Sequence, residues 1–380
     1  MSEQRGGGFW NFLIDNSLLL VAGTVAALLW ANLEYESYEQ VAHAMHFAVN
    51  DIGMVFFFAV AAKEILEATL PGGALASPRE AGVPLLAAVG GMVAPASLYA
   101  IQVVVEGRPE LMPGWAIPCA TDIAFSYMVA RLIFPRSHPA IPFLLLLAIA
   151  DDAMGLLLLA VFYPSGPLSI VNFALFMIPA LGISLWLKRR RVRSFWAYTL
   201  AGGGLSWAAL FFGGVHPALA LVPILPFMPH EKRDLGLFSE VEHGLPDTMN
   251  RFEHWWRVPV QIILFFFGFA NAGVQFSSVG AGTWMVLSSL LIGKPLGIFA
   301  MTVLAVRFGL RPPGGLTYGH TFVVGLAAAI GFTVALFFAT AAFPPGEVLD
   351  EAKMGALMSF VAAPLAIIVG RAMKLRPTSS

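Results

Sequence analysis

Apolar runs of about twenty residues recur along this chain of 380 residues. A helix of about 20 such residues is long enough to cross the hydrocarbon core of a bilayer. Charged residues make up only 12% of the chain, against roughly 25% in a typical soluble domain. The apolar runs are continuous and do not alternate every second residue, as the strands of a membrane barrel do. The sequence therefore predicts an all-α integral membrane protein.

Polar residues, prolines and glycines divide these runs into twelve predicted transmembrane spans, which form a single domain over residues 1–380. Their predicted bounds are 12–32, 46–68, 84–105, 115–130, 140–163, 168–187, 195–212, 215–228, 256–275, 283–306, 319–343 and 354–373. An even number of spans places both termini on the same side of the membrane. The longest predicted loop lies between spans eight and nine, at about 229–255.

The basic residues predict the orientation, because Lys and Arg concentrate in short cytoplasmic loops. If both termini and every second loop are cytoplasmic, that side holds all 22 Lys and Arg residues except Arg108, Lys353, Lys63 and Lys294. We therefore predict cytoplasmic termini and a cytoplasmic 229–255 loop. The net charge of −1 gives no indication of a nucleic-acid partner. The lipid bilayer is the partner that the composition does indicate.

Two adjacent aspartates, Asp151 and Asp152, interrupt the apolar run of the fifth predicted span. A charged group near the bilayer midplane costs at least ~2.5 to 3.5 kcal/mol, so an acidic pair at that depth indicates a functional site. Neighbouring residues on a helix lie about 100° apart, and both carboxylates can border one wide cavity. Carboxylates suit a small hard cation better than copper or zinc. The pair therefore predicts cation binding, proton transfer, or both.

Three more polar residues lie within predicted spans. Asp122 follows Thr121 and comes shortly after Pro118, a residue that removes a backbone donor and favours a broken helix. The ends of half-helices inside a membrane protein offer free backbone groups to ions, although Asp122 could instead cap a helix near the headgroups. Lys294 lies in the middle of span ten, where it needs a carboxylate partner, and the three intramembrane aspartates are the candidates.

Two further segments leave a choice of interpretation. Span eleven contains Ala329, Gly331 and Thr333 within a run of small residues, and on composition alone close helix packing is the first explanation. The cytoplasmic end of span two carries Lys63, Glu64 and Glu67. The two glutamates share a helix face, and this cluster is either a solvated helix end or part of a site.

Seven segments resemble, in chain order, the signature segments of NhaA-type sodium/proton antiporters. They are Ala116–Pro118, Ala120–Phe125, Ala150–Asp152, Gly214–His216, Phe269–Gly273, Ile292–Gly297 and Ile330–Thr333. The resemblance covers nearly the whole chain. It implies a fold of inverted-topology repeats in which spans four and eleven are interrupted helices that cross at the midplane, with the second break at Ala329, Gly331 and Thr333.

The resemblance also implies roles for the intramembrane residues. Asp151 and Asp152 would carry the Na⁺ ion and the protons, and Thr121 would lie at the cation site. Asp122 would offset the positive ends of the half-helices. Lys294 would offset their negative ends and pair with Asp151.

The activity implied by the resemblance is exchange of two external protons for one internal Na⁺ or Li⁺ by alternating access, in the bacterial inner membrane. Such a protein is not an enzyme and needs no cofactor, and the family tends to form homodimers. Two other functions stay open on the sequence. A sodium-coupled symporter of another solute would want anion-binding groups, and only Lys294 is basic at depth. An intramembrane aspartyl protease would want a Gly-Asp dipeptide, which the sequence lacks.

The chain departs from the family in the segments that form its pH-sensing funnel. At the end of span two, Lys63 replaces the first acid of the family pattern, while Glu67 still fits. Before span nine, Glu253 and His254 fit the family's Leu-Glu-His, and a second pair, Glu242 and His243, precedes them. The candidates for the pH response are therefore Lys63, Glu64, Glu67, Glu253 and His254, of which histidine titrates near neutral pH.

Overall fold

A computed structural model describes residues 17–70, 73–75, 78–230 and 247–373. Within these ranges every regular element is a helix and no strand occurs. The first sixteen residues, the Glu242-His243 pair and most of the predicted 229–255 loop lie outside the described residues.

Twelve α-helical elements, α1 to α12, account for most of the described residues. They are α1 (Leu18–Leu33), α2 (Tyr35–Thr69), α3 (Pro78–Glu106), α4 (Ile123–Ile133), α5 (Ala140–Phe162), α6 (Ile170–Arg189), α7 (195–213), α8 (Thr248–Asn271), α9 (Ala281–Arg307), α10 (Tyr318–Ala328), α11 (Phe332–Ala342) and α12 (Glu347–Ala372). A 3₁₀ segment, Pro109–Cys119, precedes α4. Helices α2, α7 and α9 each contain a π-helical turn.

The helices confirm the predicted class of protein. Six of them, among the described residues, are long and apolar enough to cross a membrane, and the number rises to eight if each of two bent pairs is one span. In one pair the Pro109–Cys119 segment meets α4 at 54°, and in the other α10 meets α11 at 52°. The bends lie in predicted spans four and eleven. The total of twelve spans and the inverted repeat stay predictions.

The predicted span at 215–228 is not an α-helix, so the prediction of a helix in this segment is wrong. The segment contains two short 3₁₀ turns, Pro217–Leu219 and Leu225–Phe227, joined by further turns. Three prolines, Pro217, Pro223 and Pro226, remove backbone N–H donors and prevent a continuous helical ladder. Most of the apolar residues between them are nevertheless buried. Their hydrophobicity therefore predicts their burial correctly but not their backbone conformation.

Helix α2 begins eleven residues before the predicted start of span two, at Tyr35 instead of residue 46. A tertiary contact holds the additional turns. The buried Tyr38 hydroxyl donates to the Phe269 carbonyl at 2.8 Å and accepts the Gly273 N–H at 3.0 Å. Both partners lie at the far end of α8, so the polar sequence around Tyr38 gives no local sign of the contact.

Two glycines bring α3 and α9 into backbone contact and thereby place Lys294. A methyl group added to Gly90 would lie 2.2 Å from the Gly297 carbonyl oxygen, and one added to Gly297 would lie 2.0 Å from that of Gly90. Any larger residue would force the two helices apart. Lys294 lies one turn before Gly297 on α9, and this close approach leads its side chain into the interior.

Candidate ion-binding site

Helix α5 carries the aspartate pair to its centre. Asp151 lies midway between Ala140 and Phe162, about 16 Å from either end at 1.5 Å per residue. Its side chain is buried, whereas that of Asp152 is partly exposed to a cavity. The pair therefore sits at the depth at which a charge is most expensive in a bilayer.

The Asp151 carboxylate is satisfied on one side only. Its Oδ2 atom accepts a hydrogen bond from the Thr121 hydroxyl at 2.7 Å and lies 3.1 Å from Lys294 Nζ. Lys294 is fully buried. The Oδ1 atom is buried too, yet has no hydrogen-bond partner among the described residues. A buried oxygen in this condition costs free energy until a proton, a cation or water reaches it.

Asp122 joins the two helix breaks. It precedes α4, where its carboxylate accepts the Phe125 N–H at 3.4 Å as an N-cap. Its Oδ2 atom accepts the Thr333 N–H at 3.2 Å and also the Thr333 hydroxyl, both in the first turn of α11. Its own N–H donates to the Ile330 carbonyl at 2.7 Å. One carboxylate thus contacts the positive N-terminal ends of two half-helices.

Close packing at the second break explains its small residues. A methyl group added to Gly331 would lie 3.2 Å from the Ala120 carbonyl oxygen, which is tighter than ordinary contact. Ala329 is fully buried beside it. The run of small residues therefore serves packing, as its composition indicates, and the packing is what brings the two breaks together.

The C-terminal ends of the 3₁₀ segment and of α10 also lie at the two breaks. They face Lys294 and the Thr121 hydroxyl. Lys294 Nζ donates to the carbonyl of Cys119, the last residue of the 3₁₀ segment. The Thr121 hydroxyl lies 3.2 Å from the carbonyl of Ala328, the last residue of α10. The negative C-terminal end of the 3₁₀ segment thus faces a cation, and that of α10 lies beside the Thr121 hydroxyl, whose single proton is donated to Asp151. The structure places Lys294 and Asp122 where the family resemblance implies, and their roles in transport stay predictions.

A cavity opens onto the two carboxylates. Apart from Asp151, Asp152 and Thr121, its walls are mainly apolar and aromatic, so a charge inside it is weakly screened. The other lining residues are Phe57, Phe58, Ala61, Met92, Cys119, Ala120, Gly155, Leu156, Leu159, Val334 and Phe338. Among the described residues no group of three or more His, Cys, Asp or Glu side chains is arranged to hold a metal ion.

Three of the five candidates for the pH response form an ion-pair cluster. Buried Lys63 lies 2.6 Å from Glu67 on α2 and also pairs with Glu253 on α8. Glu64 has no ion pair with these three residues among the described contacts, but it interacts electrostatically with all of them and with Asp152. His254 lies next to Glu253 in α8, and among the described residues no hydrogen bond or ion pair joins its side chain to the cluster. Lys63, the departure from the family pattern, is thus the centre of the cluster.

Sequence reasoning missed two kinds of groups at this site. The carbonyls of Cys119 and Ala328 contact Lys294 and Thr121, but every residue has a carbonyl, so the residue type carries no signal. Phe58 and Phe338 form the apolar wall, and within long apolar runs they resemble any other membrane-facing side chain.

Two bent helix pairs that meet at a half-satisfied carboxylate, inside a bundle of membrane-spanning length, define a secondary ion transporter. The family described as Na⁺/H⁺ antiporter 1 matches residues 11–370. A Na⁺/H⁺ antiporter NhaA of Geobacter metallireducens is 46% identical over 374 residues, which cover 96% of this chain and 98% of the relative. The Na⁺/H⁺ antiporter NhaA 1 of Pelobacter propionicus is 47% identical over 375 residues, with 96% and 98% covered. The chain therefore belongs to the NhaA family of Na⁺/H⁺ antiporters, as its signature segments predict.

A solved structure shares the fold. The sodium proton antiporter from Methanocaldococcus jannaschii at pH 8 superimposes with a TM-score of 0.53, and the match covers 94% of this chain and 91% of that one. The two chains are only 14% identical, so this likeness concerns the arrangement of helices alone.

Proposed function

We propose that this protein exchanges internal Na⁺ or Li⁺ for external H⁺ across the bacterial inner membrane, with both ions bound at Asp151 and Asp152. The observation that carries the proposal is the Asp151 carboxylate, which is buried at the centre of α5. One of its oxygens pairs with Lys294, and the other has no hydrogen-bond partner among the residues that the structure describes. Membership of the NhaA family supports it and favours exchange over sodium-coupled symport or proteolysis. We expect cytoplasmic termini and a homodimer, as the sequence and the family indicate.

Competition for the same oxygens makes the transport an exchange. A proton or a sodium ion can each satisfy Asp151 Oδ1, and Asp152 borders the same cavity. The Thr121 hydroxyl and the Ala328 carbonyl add the hard oxygen ligands that Na⁺ prefers. Each ion therefore displaces the other, and the site does not pass both at once.

A stoichiometry of two protons for one sodium needs two groups that each lose a proton when Na⁺ binds, and the carboxyl groups of Asp151 and Asp152 border the same cavity. In the proton-loaded state both carboxyl groups would be protonated, and Na⁺ would replace both protons while Lys294 stays bonded to the Cys119 carbonyl. Exchange of two protons for one Na⁺ moves one net positive charge inward in each cycle. The membrane potential then drives the cycle with ~2.3 kcal/mol per 100 mV.

Alternating access would come from movement of the two bent pairs against the rest of the bundle. Asp122 ties the first turns of α4 and α11 together, so these half-helices would move as one unit. The Lys63 cluster joins α2 to α8 at the predicted cytoplasmic end. We place the pH response there, in Lys63, Glu64, Glu67, Glu253 and His254.

The test measures collapse of a preformed pH gradient in everted vesicles after addition of Na⁺, Li⁺ or K⁺, from about pH 6.5 to about pH 9. We expect a response to Na⁺ and Li⁺ that falls to background in Asp151→Asn and in Asp152→Asn. The matched control is Glu110→Gln, which removes an acid that is ion-paired to Arg108 at the predicted outer surface.

Three other results of this experiment would be informative. A native-like response in Asp152→Asn would contradict exchange at the acidic pair. A loss in Glu110→Gln as well would show that removal of any charge damages the protein. No response of the native chain at any pH would overturn the proposed function.

A further inference from the structure

The cavity that opens onto Asp151 and Asp152 is called the ion cavity below. A second cavity lies beyond it, toward the predicted outer side. It is lined by Pro113, Trp115, Phe162, Tyr163, Pro164, Ala341 and Ala342. These residues come from the 3₁₀ segment and from the outer ends of α5 and α11. The two cavities share no lining residue.

One aromatic contact lies between the two cavities. The ring of Tyr163, which lines the outer cavity, meets the ring of Phe338, which lines the ion cavity, with centroids 5.4 Å apart and planes at 68°. Phe338 also lies over Gly155, where an added methyl group would be 4.0 Å from its Cε2 atom. Gly155 is one helical turn beyond Asp151. The rings of Tyr163 and Phe338, called the aromatic layer below, are therefore about one helical turn from the carboxylates. Both rings are buried.

The Tyr163 hydroxyl fixes one half of this layer to the 3₁₀ segment. It donates to the Pro113 carbonyl at 2.7 Å and accepts the Ala116 N–H at 3.3 Å. The same segment ends at Cys119, whose carbonyl accepts from Lys294 at the ion site. A shift of the segment at the site would therefore move the Tyr163 ring.

We propose that Tyr163 and Phe338 form the outer gate of the ion cavity, and that the Tyr163 hydroxyl is a positioning group that couples this gate to the 3₁₀ segment. The layer offers no charged group to a passing ion, and an apolar constriction of this kind closes a pathway by excluding water. Displacement of either ring would join the two cavities. This proposal depends on the proposed function in one respect: it takes the outer side as the side toward which the transported ion leaves.

Cys119 provides a probe, because it is the single cysteine of the chain and lines the ion cavity. A membrane-impermeant trimethylammonium methanethiosulfonate is added to right-side-out or everted vesicles, and the rate at which Cys119 is labelled is measured from each side. The variants are Phe338→Ala, which removes one ring, and Tyr163→Phe, which removes only the hydroxyl. Labelling needs no transport, so a failed gate and a failed antiport activity give different results.

Tyr99→Phe is the matched control. The Tyr99 hydroxyl is also buried and donates to the same 3₁₀ segment, at the Leu111 carbonyl, at 2.8 Å. Tyr99 lines neither cavity. It therefore reports the effect of loosening the segment without opening the aromatic layer.

We expect Phe338→Ala to raise the labelling rate from the outer side by roughly two- to ten-fold, the range that corresponds to loss of one aromatic pair. Tyr163→Phe should raise it less, and Tyr99→Phe should leave it unchanged. Labelling from the cytoplasmic side should be the same in all four chains. Should the native Cys119 react from neither side, Gly155→Cys in a Cys119→Ala chain takes its place and is read in the same way.

Two results would overturn the gate. One is an outer rate in Phe338→Ala that stays at the native value while the cysteine reacts from the cytoplasmic side. The other is an equal rise from both sides, which would indicate a loosened fold. An effect of Tyr99→Phe as large as that of Tyr163→Phe would remove the special role of the Tyr163 hydroxyl.

Discussion

Asp151 in α5 and Glu351 in α12 are both buried carboxylates with 3% of their surface exposed, and each pairs with a basic residue. They differ in how completely they are bonded. Both oxygens of Glu351 contact Arg108 Nη1, at 3.1 and 3.2 Å, and Oε2 also accepts the Gly282 N–H at 2.6 Å. Asp151 keeps one buried oxygen that has no hydrogen-bond partner in the described part of the chain.

The difference separates a carboxylate that serves the fold from one that we propose to bind the transported ions. Glu351 caps the start of α9 through Gly282 and links it to Arg108, so its charge is already fully compensated by the protein. Bonds of this kind hold the predicted outer ends of α3, α9 and α12 together. The free oxygen of Asp151 is compensated only when an ion or a proton arrives. Burial and ion pairing are thus common to both carboxylates, and incomplete bonding is the property that distinguishes Asp151.

The largest expected effect comes from neutralising each carboxylate in turn. Asp151→Asn should abolish sodium-driven proton movement in everted vesicles, because the oxygen that we propose as the ion ligand loses its charge. Glu351→Gln should keep transport but lower the free energy of unfolding by about 1 to 3 kcal/mol, because Arg108 loses a charged partner and is itself partly exposed. Thermal unfolding in detergent and gradient collapse, measured on both variants, check the pair of outcomes. Loss of transport at full stability in Glu351→Gln would break the comparison.

A smaller effect is expected at the Lys63 cluster, where a base lies between two acids. Lys63→Met would leave the carboxylates of Glu67 and Glu253 facing each other without their shared cation, and their repulsion should weaken the contact between α2 and α8. We expect the half-maximal pH of antiport in everted vesicles to differ from that of the native chain. Lys63→Arg keeps the charge and should keep the native profile. An unchanged profile in Lys63→Met would mean that the cluster only ties α2 to α8.

The smallest expected effect concerns His138, whose ring accepts a backbone hydrogen bond only while it is neutral. Its Nδ1 atom accepts the Ala140 N–H at 3.1 Å at the start of α5, and its ring lies 4.6 Å from that of His320. Burial, and to a lesser degree the neighbouring His320, lower the pKa of His138 below its ordinary value. The folded protein therefore binds fewer protons than the unfolded chain, and stability is lost as the pH falls below about 6.5.

The loss should be at most about 1 kcal/mol, because the ring is partly solvated and the interaction is a single helix cap. His138→Asn keeps an acceptor and does not titrate, so its melting temperature should fall less between about pH 7.5 and about pH 5.5 than that of the native chain. Parallel pH curves for the two chains would show that His138 does not contribute.

Residue type and position were sufficient to find most of the site. A carboxylate or an ammonium in the middle of an apolar run is expensive enough to be recognised without a structure, as Asp151, Asp152, Asp122 and Lys294 show. The same reasoning failed at 215–228, where apolar composition predicts a helix but three prolines give turns. It also did not reveal the additional turns of α2, which depend on the contact of Tyr38 with the end of α8.

The sequence by itself determined the class of protein, its family and the charged residues at membrane depth. Hydrophobicity, motif order and the cost of a buried charge can each be recognised from residues that are close together in the sequence. Only the tertiary structure decided which oxygen of Asp151 is left free, that Lys63 lies between Glu67 and Glu253, and that Tyr163 meets Phe338. Those relations join residues far apart in the chain, through backbone carbonyls and aromatic rings that no residue type distinguishes. They depend on how closely helices such as α3 and α9 approach, and that distance is fixed only when the whole bundle packs.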